Sequence, residues 1–244
     1  MIGIFLDTAN LAEIEEIQGW GIIKGITTNQ KIFSKEKGCN FKEQSLKILE
    51  MVKPYPVSLE GPNNLDELLA TAEDYNNWGS NVVIKVPMLG NGDGIRAVKV
   101  LSEKGIDTNV TACMTLNQAF LAASAGATYV SLFYNRMKDW KKSMLKTTDK
   151  EKVELECFQY AYNTVSETME MIKKSGSKTK LIVGSIRKPE DVQEIVSAGP
   201  HVITIPTKIL KQMPFNEKTE YTLKEFDQAW EEFLKAEKEM ELVA

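Results

Sequence analysis

Short apolar segments alternate with longer segments of helical periodicity along the whole chain. The short segments are rich in β-branched residues and predict strands at 3–7, 22–27, 56–60, 82–86, 107–111, 129–133, 180–184 and 202–205. The longer segments predict helices at 11–17, 41–52, 65–76, 94–103, 115–125, 152–173 and 189–197. Strands that alternate with helices indicate an α/β fold with a parallel sheet, and eight such strands can close into a (β/α)8 barrel.

A doubly wound open sheet is also compatible with this alternation. It would usually carry a glycine fingerprint after the first strand, where residues 7–10 instead read Asp-Thr-Ala-Asn. The glycine-rich loop at 90–94 lacks the lysine and hydroxyl residue of a P-loop, and we interpret it as a turn that enters a helix. We therefore predict one barrel domain over residues 1–244, in which residues 221–241 form an additional C-terminal helix.

A lysine interrupts the fourth apolar segment. Residues 82–86 read Val-Val-Ile-Lys-Val, the pattern of a strand that is covered on both faces. Burial removes water from an ammonium group and favours the neutral amine, which can attack a carbonyl and form a Schiff base. Two less specific interpretations stay open: Lys85 can pair with a carboxylate, or it can lie on an edge strand with its amine in solvent.

Composition excludes several classes of function. The chain of 244 residues has a net charge of -4, with both signs interspersed, which argues against a nucleic-acid surface. No segment approaches the about 18 apolar residues of a membrane span, and the N-terminus has no signal-peptide pattern. Three widely spaced cysteines indicate reduced thiols in a cytoplasmic protein. A single histidine excludes a multi-histidine metal site, and we predict no metal.

The carboxyl ends of the strands of a βα barrel are where its chemistry gathers. The predicted strand ends carry mostly polar side chains, namely Asp7, Thr27, Thr28, Asn29, Glu60, Lys85, Asn109, Thr111, Ser131, Phe133 and Ser185. A single hydroxyl or amide at a strand end can simply cap the next helix. A lysine and two carboxylates in the same set instead favour one shared site.

These residues fit one chemistry. A Schiff-base lyase needs an amine, an acid/base group and donors that hold hydroxyls. Lys85, the carboxylates Asp7 and Glu60, and the polar groups of Asn29, Asn109 and Ser131 can supply them. Arg136, Ser185 and Arg187 follow the sixth and seventh strands, where they can bind an anion such as phosphate. An isolated arginine is more often a solvated surface charge, so this second assignment has an alternative.

At these positions the sequence resembles the transaldolase family, specifically the short subgroup that includes fructose-6-phosphate aldolase. The resemblance covers most of the chain and rests on FLDTAN at 5–10, GITTN at 25–29, VIKVP at 83–87, TNVT at 108–111, NR at 135–136 and SIR at 185–187. It implies a TIM barrel that needs neither metal nor organic cofactor. It also implies a homo-oligomer, a pentamer or decamer, in which the terminal helix reaches a neighbouring chain.

The resemblance also implies a role for each residue. Lys85 would form the imine with a ketose, Asp7 would be the acid/base for carbon–carbon cleavage, and Glu60 with Thr111 would hold a proton-relaying water. Asn29, Asn109 and Ser131 would bind the dihydroxyacetone portion, and Arg136, Ser185 and Arg187 would bind the terminal anion. Thr28 and Phe133 are also assigned to substrate binding.

Two positions distinguish aldolases from transaldolases within this resemblance. Aldolases of the subgroup typically carry glutamine at the position of Glu60 and tyrosine at that of Phe133, whereas transaldolases carry glutamate and phenylalanine. The expected function is therefore a transaldolase that moves a dihydroxyacetone unit from a ketose phosphate to an aldose phosphate. Alternatives are an aldolase that releases dihydroxyacetone, a transaldolase for a sulfonated sugar such as 6-deoxy-6-sulfofructose, and a non-catalytic sugar-phosphate binding protein.

Some positions depart from the family pattern. Gln30 and Lys31 stand where Pro-Ser is usual, and Tyr134 and Asn135 stand where Val-Gly is usual. These residues flank the predicted strand ends, so they can reshape the mouth of the site, or they can be neutral loop changes.

Overall fold

The computed structural model describes residues 1–241 and contains a closed barrel of parallel strands in the order β1-β2-β3-β4-β5-β6-β7-β8. The strands are β1 (Gly3–Asp7), β2 (Ile23–Thr27), β3 (Val57–Glu60), β4 (Val82–Pro87), β5 (Thr108–Cys113), β6 (Tyr129–Phe133), β7 (Lys180–Gly184) and β8 (Val202–Ile205). The predicted (β/α)8 barrel is confirmed, and every predicted strand is present to within two residues at either end.

Helices lie between the strands on the outside of the barrel, and a short helix follows β8. They are α1 (Leu11–Gln18), α2 (Gln30–Phe33), α3 (Phe41–Val52), α4 (Leu65–Asn76), α5 (Asp93–Glu103), α6 (Leu116–Ser124), α7 (Tyr134–Met144), α8 (Lys150–Ser175), α9 (Pro189–Ala198) and α10 (Thr207–Leu210). Their apolar faces pack on the strands: Ile14 and Ile17 of α1 and Ile48 and Leu49 of α3 are at most 2% exposed. Burial of these side chains is the main free-energy gain that holds the helices to the barrel.

Three of these helices lack a periodic signal in the sequence, namely α2, α7 and the four-residue α10. The four-residue α2 is too short to show periodicity and begins where the Asn29 side chain accepts a hydrogen bond from the Ile32 amide. The basic segment of α7 has little apolar content, yet its first turn is buried through Tyr134 and Met137. Tertiary contacts therefore determine this helix more than local propensity does.

The glycine-rich loop after β4 is a helix entry, as predicted. Gly92 precedes α5 with φ of 88°, a backbone conformation that residues with a Cβ rarely adopt. A Cβ on Gly94 would lie 2.2 Å from the Pro87 carbonyl oxygen, so only glycine permits this approach of helix to strand.

Parallel pairing places site residues at the same level of the barrel. Glu60 of β3 pairs with Lys85 of β4, and Lys85 pairs with Asn109 of β5. Asp7 of β1 pairs with Thr27 of β2. Because side chains of residues in register point to the same face of a sheet, these groups face one another across the barrel end.

The chain divides into two compact units, Met1–Ile209 and Leu210–Ala244. The second unit contains α11 (Glu217–Glu241), which begins four residues before the predicted start at 221. Its large apolar side chains are exposed, among them Phe226, Trp230 and Phe233. The expectation that this helix contacts another chain stays a prediction. No helix within residues 1–241 has the length and apolarity that crossing a membrane requires.

Candidate active site

A cavity of about 150 Å³ opens at the carboxyl ends of the strands. It is lined by Asp7, Thr27, Asn29, Lys85, Thr111, Ser131, Phe133, Arg136, Gly184, Ser185 and Thr204. Eight of the twelve residues assigned to the site from sequence are in this lining. Three others, Thr28, Glu60 and Asn109, contact lining residues, and Arg187 does neither.

Lys85 is the buried cation of the cavity. It is 4% exposed, and its Nζ lies 3.0 Å from Glu60 Oε2 and donates to the Thr28 carbonyl at 2.8 Å. The closed barrel has no edge strand, so a lysine with its amine in solvent is excluded. The amine of Lys85 contacts a carboxylate and also lines the cavity. It is therefore held in place beside the space where a carbonyl compound can bind.

Asp7 is the second ionisable group of the cavity. Burial raises the pKa of its carboxyl, against the opposing effects of the Lys85 charge and of the hydrogen bond that Thr27 donates to Oδ1 at 2.8 Å. Thr27 also contacts the hydroxyl of Thr204. A carboxyl with a raised pKa keeps its proton to a higher pH than an exposed aspartate does, and such a shift in a cavity is typical of general acid/base groups.

A bulge in β5 presents Thr111 to the cavity. The strand register with β6 shifts between Val110 and Cys113, and Ala112 has φ of 60°. Bulges near active sites commonly redirect a side chain. The Thr111 hydroxyl is buried and has no hydrogen-bond partner among the described residues, so its hydrogen-bonding capacity is directed to whatever occupies the cavity.

A chain of hydrogen bonds orients Ser131. Asn109 donates from Nδ2 to Ser58 Oγ at 3.1 Å, and Ser131 Oγ donates to Asn109 Oδ1 at 2.7 Å. The Ser131 oxygen is then free to accept a hydrogen bond from a ligand hydroxyl. Asn109 is fully buried between Ser58 and Ser131, and its assignment to substrate binding stays a prediction.

Ser185 and Arg136 form the outer part of the cavity. Ser185 has φ of 64°, a strained conformation for a residue with a Cβ. Asn135 Nδ2 donates to the Ser185 carbonyl at 2.8 Å and to the buried Asp191 carboxylate at 2.7 Å. The same Asp191 oxygen accepts from the amide of Arg187 at 2.8 Å. Asn135, a departure from the family pattern, thus ties the loop after β7 to α7.

Arg187 is directed elsewhere. Its guanidinium forms two hydrogen bonds with the carboxylate of Asp139, and both side chains are about half exposed. This pairing holds the pKa of Asp139 below its usual range. Arg187 does not line the cavity, so its assignment to the anion site stays a prediction.

Three residues that line or support the cavity were not predicted from the sequence. Thr204 lines the cavity from the interior of β8, Ser58 supports Asn109, and Asp191 supports Ser185 through Asn135. Thr204 carries a usable signal, because it is a lone polar residue in an apolar strand, as Lys85 is. Ser58 carries a weaker signal of the same kind, because it is a polar residue between Val57 and Leu59. Asp191 has a local role at the start of α9, where it accepts hydrogen bonds from the amides of Arg187 and Lys188. The contacts of Ser58 with Asn109 and of Asp191 with Asn135 span more than 50 residues, and the sequence does not indicate them.

Metal ligands are not grouped in the part of the chain that the structure describes. Within residues 1–241, no cluster of three or more His, Cys, Asp or Glu side chains is close enough to hold a metal ion.

Comparison with known proteins identifies a family for this chain. The family model described as Transaldolase/Fructose-6-phosphate aldolase matches residues 4–244. A protein of Alkaliphilus metalliredigens named "Probable transaldolase" is 38% identical over 95% of this chain and 99% of its own length. One of Pelotomaculum thermopropionicum with the same name is 37% identical over 93% and 97%.

A solved structure shares the fold. The crystal structure of a "putative fructose-1,6-biphosphate aldolase" from Coccidioides immitis superposes with a TM-score of 0.55 over 86% of this chain and 78% of its own, at 10% identity. At that identity the likeness supports the barrel architecture alone. The family match over nearly the whole chain supports more. The chain therefore belongs to the transaldolase/fructose-6-phosphate aldolase family and is an enzyme.

Proposed function

We propose that the protein is a Schiff-base transaldolase. It moves a dihydroxyacetone unit from a ketose phosphate of the fructose 6-phosphate type to an aldose phosphate. The observation that carries the proposal is the buried amine of Lys85, 3.0 Å from Glu60, in the same cavity as the raised-pKa carboxyl of Asp7. Amine, acid/base and an open space for a small substrate are the minimum set for imine chemistry.

The first step joins Lys85 to the ketose. Glu60 takes a proton from the ammonium, and the neutral Nζ attacks the ketone carbon to give a carbinolamine. Proton transfer to its hydroxyl expels water and leaves the protonated imine. A water held by Glu60 and by the free hydroxyl of Thr111 relays these protons. Asn29 and Ser131 bind the hydroxyls of the three-carbon portion, with Asn109 holding Ser131 in position.

The second step breaks the carbon–carbon bond. The Asp7 carboxylate takes the proton from the hydroxyl two carbons from the imine carbon, and the electron pair of the broken bond moves into the protonated imine. The aldehyde leaves, and an enamine stays on Lys85. The enamine then attacks the carbonyl of the acceptor aldehyde, Asp7 returns its proton, and hydrolysis of the new imine releases the longer ketose.

The side chain of Phe133 favours transfer over release of dihydroxyacetone. Phe133 lines the cavity and offers no hydroxyl to deliver a proton to the enamine from water. An enamine that is protonated slowly persists until an acceptor aldehyde binds. The family pattern, in which phenylalanine and glutamate accompany transaldolase activity, supports the same direction.

Incubation of the enzyme with fructose 6-phosphate tests the reaction. We expect rapid release of glyceraldehyde 3-phosphate when erythrose 4-phosphate is present, and a rate lower by at least about 10-fold without it, since slow protonation then limits turnover. Equal rates with and without the acceptor, with free dihydroxyacetone as product, would make the enzyme an aldolase. The Phe133→Tyr variant provides the matched comparison, because its added hydroxyl is expected to raise the acceptor-free rate.

Arg136 is the proposed binder of the terminal anion. Replacing it with Met is expected to raise KM for fructose 6-phosphate about 10- to 100-fold with little change in kcat, because a charge-assisted hydrogen bond to phosphate is lost. Arg187→Met is expected to have a smaller effect, because its guanidinium is already paired with Asp139. Steady-state kinetics check both variants.

Arg96→Met, on the exposed face of α5, is the matched control for removal of an arginine. The Arg136 effect should disappear with fructose, which lacks the anion. An Arg136 variant that loses kcat equally with both sugars would contradict the assignment, since the arginine would then act on the reaction itself.

We propose that the enzyme is a homo-oligomer in which α11 contacts a neighbouring chain. The exposed side chains of Phe226, Trp230 and Phe233 recur on this helix at intervals of four and three residues, so they share one face. Light scattering should give a particle of several chains. We expect a smaller particle for Phe226→Lys/Trp230→Lys, and a mass of one chain for the unmodified protein would contradict the proposal.

A further inference from the structure

A second cavity, of about 590 Å³, lies at the opposite end of the barrel. Its lining includes residues at or next to the starts of strands, among them Gly3 of β1, Lys24 of β2, Tyr129 of β6, Lys180 of β7 and His201 just before β8. In a parallel barrel the strand starts gather on the face away from the active site. The volume is within the about 300–1,000 Å³ typical of small-molecule sites.

The charge of this cavity is positive. Lys24 and Lys180 line it, and no aspartate or glutamate within residues 1–241 does. Neither lysine forms a salt bridge with a described carboxylate. Lys24 donates to the Tyr55 hydroxyl at 3.0 Å, and Lys180 Nζ lies 6.0 Å from the centre of the Tyr129 ring. In a chain with more acidic than basic residues, this is a concentration of uncompensated positive charge.

The carboxylate of Asp107 lies close enough to this face to act on Tyr129. Asp107 accepts a hydrogen bond from the Thr128 hydroxyl at 2.7 Å and contributes to the raised pKa of the Tyr129 phenol. It is not part of the cavity lining and forms no salt bridge with either lysine among the described residues. The positive charge of the lining is therefore not neutralised by it.

His201 adds a neutral donor. Its Nδ1 accepts a hydrogen bond from the Leu181 amide at 3.0 Å, so the neutral ring carries its proton on Nε2. Burial and the charge of Lys180 both lower the pKa of His201, which keeps the ring neutral at pH 7. The Nε2–H is then the one hydrogen-bond donor that the ring has to offer in the cavity.

The floor of the cavity is aromatic. The rings of Phe5 and Tyr129 meet edge to face with centroids 6.1 Å apart, and Pro56 and Pro200 add further apolar surface. Both rings belong to a cluster of buried side chains and are 3% and 8% exposed, so each reaches the cavity with a small part of its surface. Cationic groups and a donor around an aromatic floor complement an anion that carries a flat apolar body.

The strands that bear these groups are neighbours. Lys180 belongs to β7, His201 directly precedes β8, and Lys24 belongs to β2. In the closed barrel only β1 lies between β8 and β2. Adjacent strands lie about 4.8 Å apart, so β7 and β2 are separated by about 14 Å along the barrel wall. Two long, flexible lysine side chains can converge on one phosphate across such a gap.

We propose that this cavity binds a small organic phosphate with an aromatic body. Lys24, Lys180 and the Nε2–H of His201 hold the phosphate oxygens, and Phe5 and Tyr129 pack against the ring. Lysines recognise phosphate as point charges, and the donor of a neutral histidine complements an acceptor oxygen. This site shares no residue with the catalytic cavity, so it does not depend on the proposed reaction.

The lone histidine of the chain makes the test specific to this cavity. We would label the full-length protein with [2-¹³C]histidine and follow the single imidazole signal by NMR while adding phenyl phosphate. A saturable shift is expected. Lys24→Met/Lys180→Met should weaken the apparent Kd by at least about 10-fold, because charge-assisted contacts are lost. A shift that grows linearly without saturation would overturn the proposal.

Two control variants separate this site from other effects. Lys47→Met removes an exposed lysine of α3 that does not line the cavity, and it should leave the titration unchanged. Arg136→Met disables the anion part of the catalytic cavity and should also leave it unchanged. A titration that is abolished by Arg136→Met, or unaffected by the double lysine variant, would show that the signal reports another site.

Inorganic phosphate is the probe for the aromatic part of the site. It should bind at least about 10-fold more weakly than phenyl phosphate, since it has no ring to bury against Phe5 and Tyr129. Equal affinities would overturn the assignment of the aromatic floor. Melting temperatures of all variants should agree within a few degrees, because the replaced side chains are exposed.

Discussion

Lys85→Met is expected to lose transaldolase activity by a factor on the order of 10⁶, as when a covalent nucleophile is removed from other enzymes. No imine can form without the amine, so every later step is blocked. Reduction with borohydride in the presence of fructose 6-phosphate should add the mass of the three-carbon unit or of the sugar to the unmodified enzyme at Lys85. The Met variant should gain no mass. Unmodified enzyme that gains no mass would instead favour a non-catalytic sugar-phosphate binding protein.

Lys85→Arg separates the nucleophile from the ion pair. Arginine keeps a positive charge beside Glu60 but does not act as an amine nucleophile. If Lys85 only neutralises Glu60, the Arg variant should retain activity and the Met variant should lose it. We expect both variants to be inactive. The control is Lys138→Met, which removes the lysine that pairs with the carboxylates of Asp191 and Glu194. This control should still form the imine. Circular dichroism should establish that each variant is folded.

Asp7→Asn is expected to lower kcat by about 10²- to 10⁴-fold, the usual contribution of a positioned acid/base group. Asparagine keeps the shape and can still contact Thr27, but it cannot accept the hydroxyl proton during cleavage. Imine formation with Lys85 should survive. Borohydride trapping should therefore still add mass to the Asn variant, and loss of trapping would contradict the assignment of Asp7 to the cleavage step.

The raised pKa of Asp7 gives this prediction a pH dependence. Cleavage needs the ionised carboxylate, so the acidic limb of kcat/KM should lie above the usual aspartate pKa of about 3.9 and should be absent in Asp7→Asn.

The stability of the fold should change with pH in the opposite direction to the activity, falling as pH rises. The folded chain holds the Asp7 proton more tightly than the unfolded chain, so the free energy of unfolding falls as pH rises from about 3.9 through the raised pKa. Asp7→Asn removes this loss and should melt at the same or a higher temperature near neutral pH. A lower melting temperature for the Asn variant at that pH would mean that the ionised carboxylate stabilises the fold.

Several candidate site residues could be predicted from sequence because a closed parallel barrel brings the carboxyl ends of its strands to one face. Asp7, Lys85, Thr111 and Ser131 each interrupt or end an apolar strand, and the structure places all four in one cavity. The position of Lys85 within an apolar strand indicates a functional role, because burial of an unpaired charge costs free energy. Glu60 followed from the same argument, and the register that pairs β3 with β4 sets it beside the amine.

Other features of the structure could not be predicted from neighbouring residues in the sequence. Arg187 stands after a strand end as Arg136 does, yet it pairs with Asp139, 48 residues earlier in the chain. The positive φ of Ala112 and of Ser185 is not encoded by their side chains, since neither residue is a glycine. The helix α7 has a charged, weakly periodic sequence and is stabilised by burial of its first turn.

The order of strands and helices, and with it the barrel, follows from the residue pattern, because periodicity of two or of 3.6 is a property of consecutive residues. Which side chains meet is decided by folding. The distance from Lys85 to Glu60, the burial that raises the pKa of Asp7 and the cationic cavity of Lys24, Lys180 and His201 all join residues from different strands. Such contacts depend on the register between strands and on the closure of the barrel, and neither can be predicted from any single segment of the sequence.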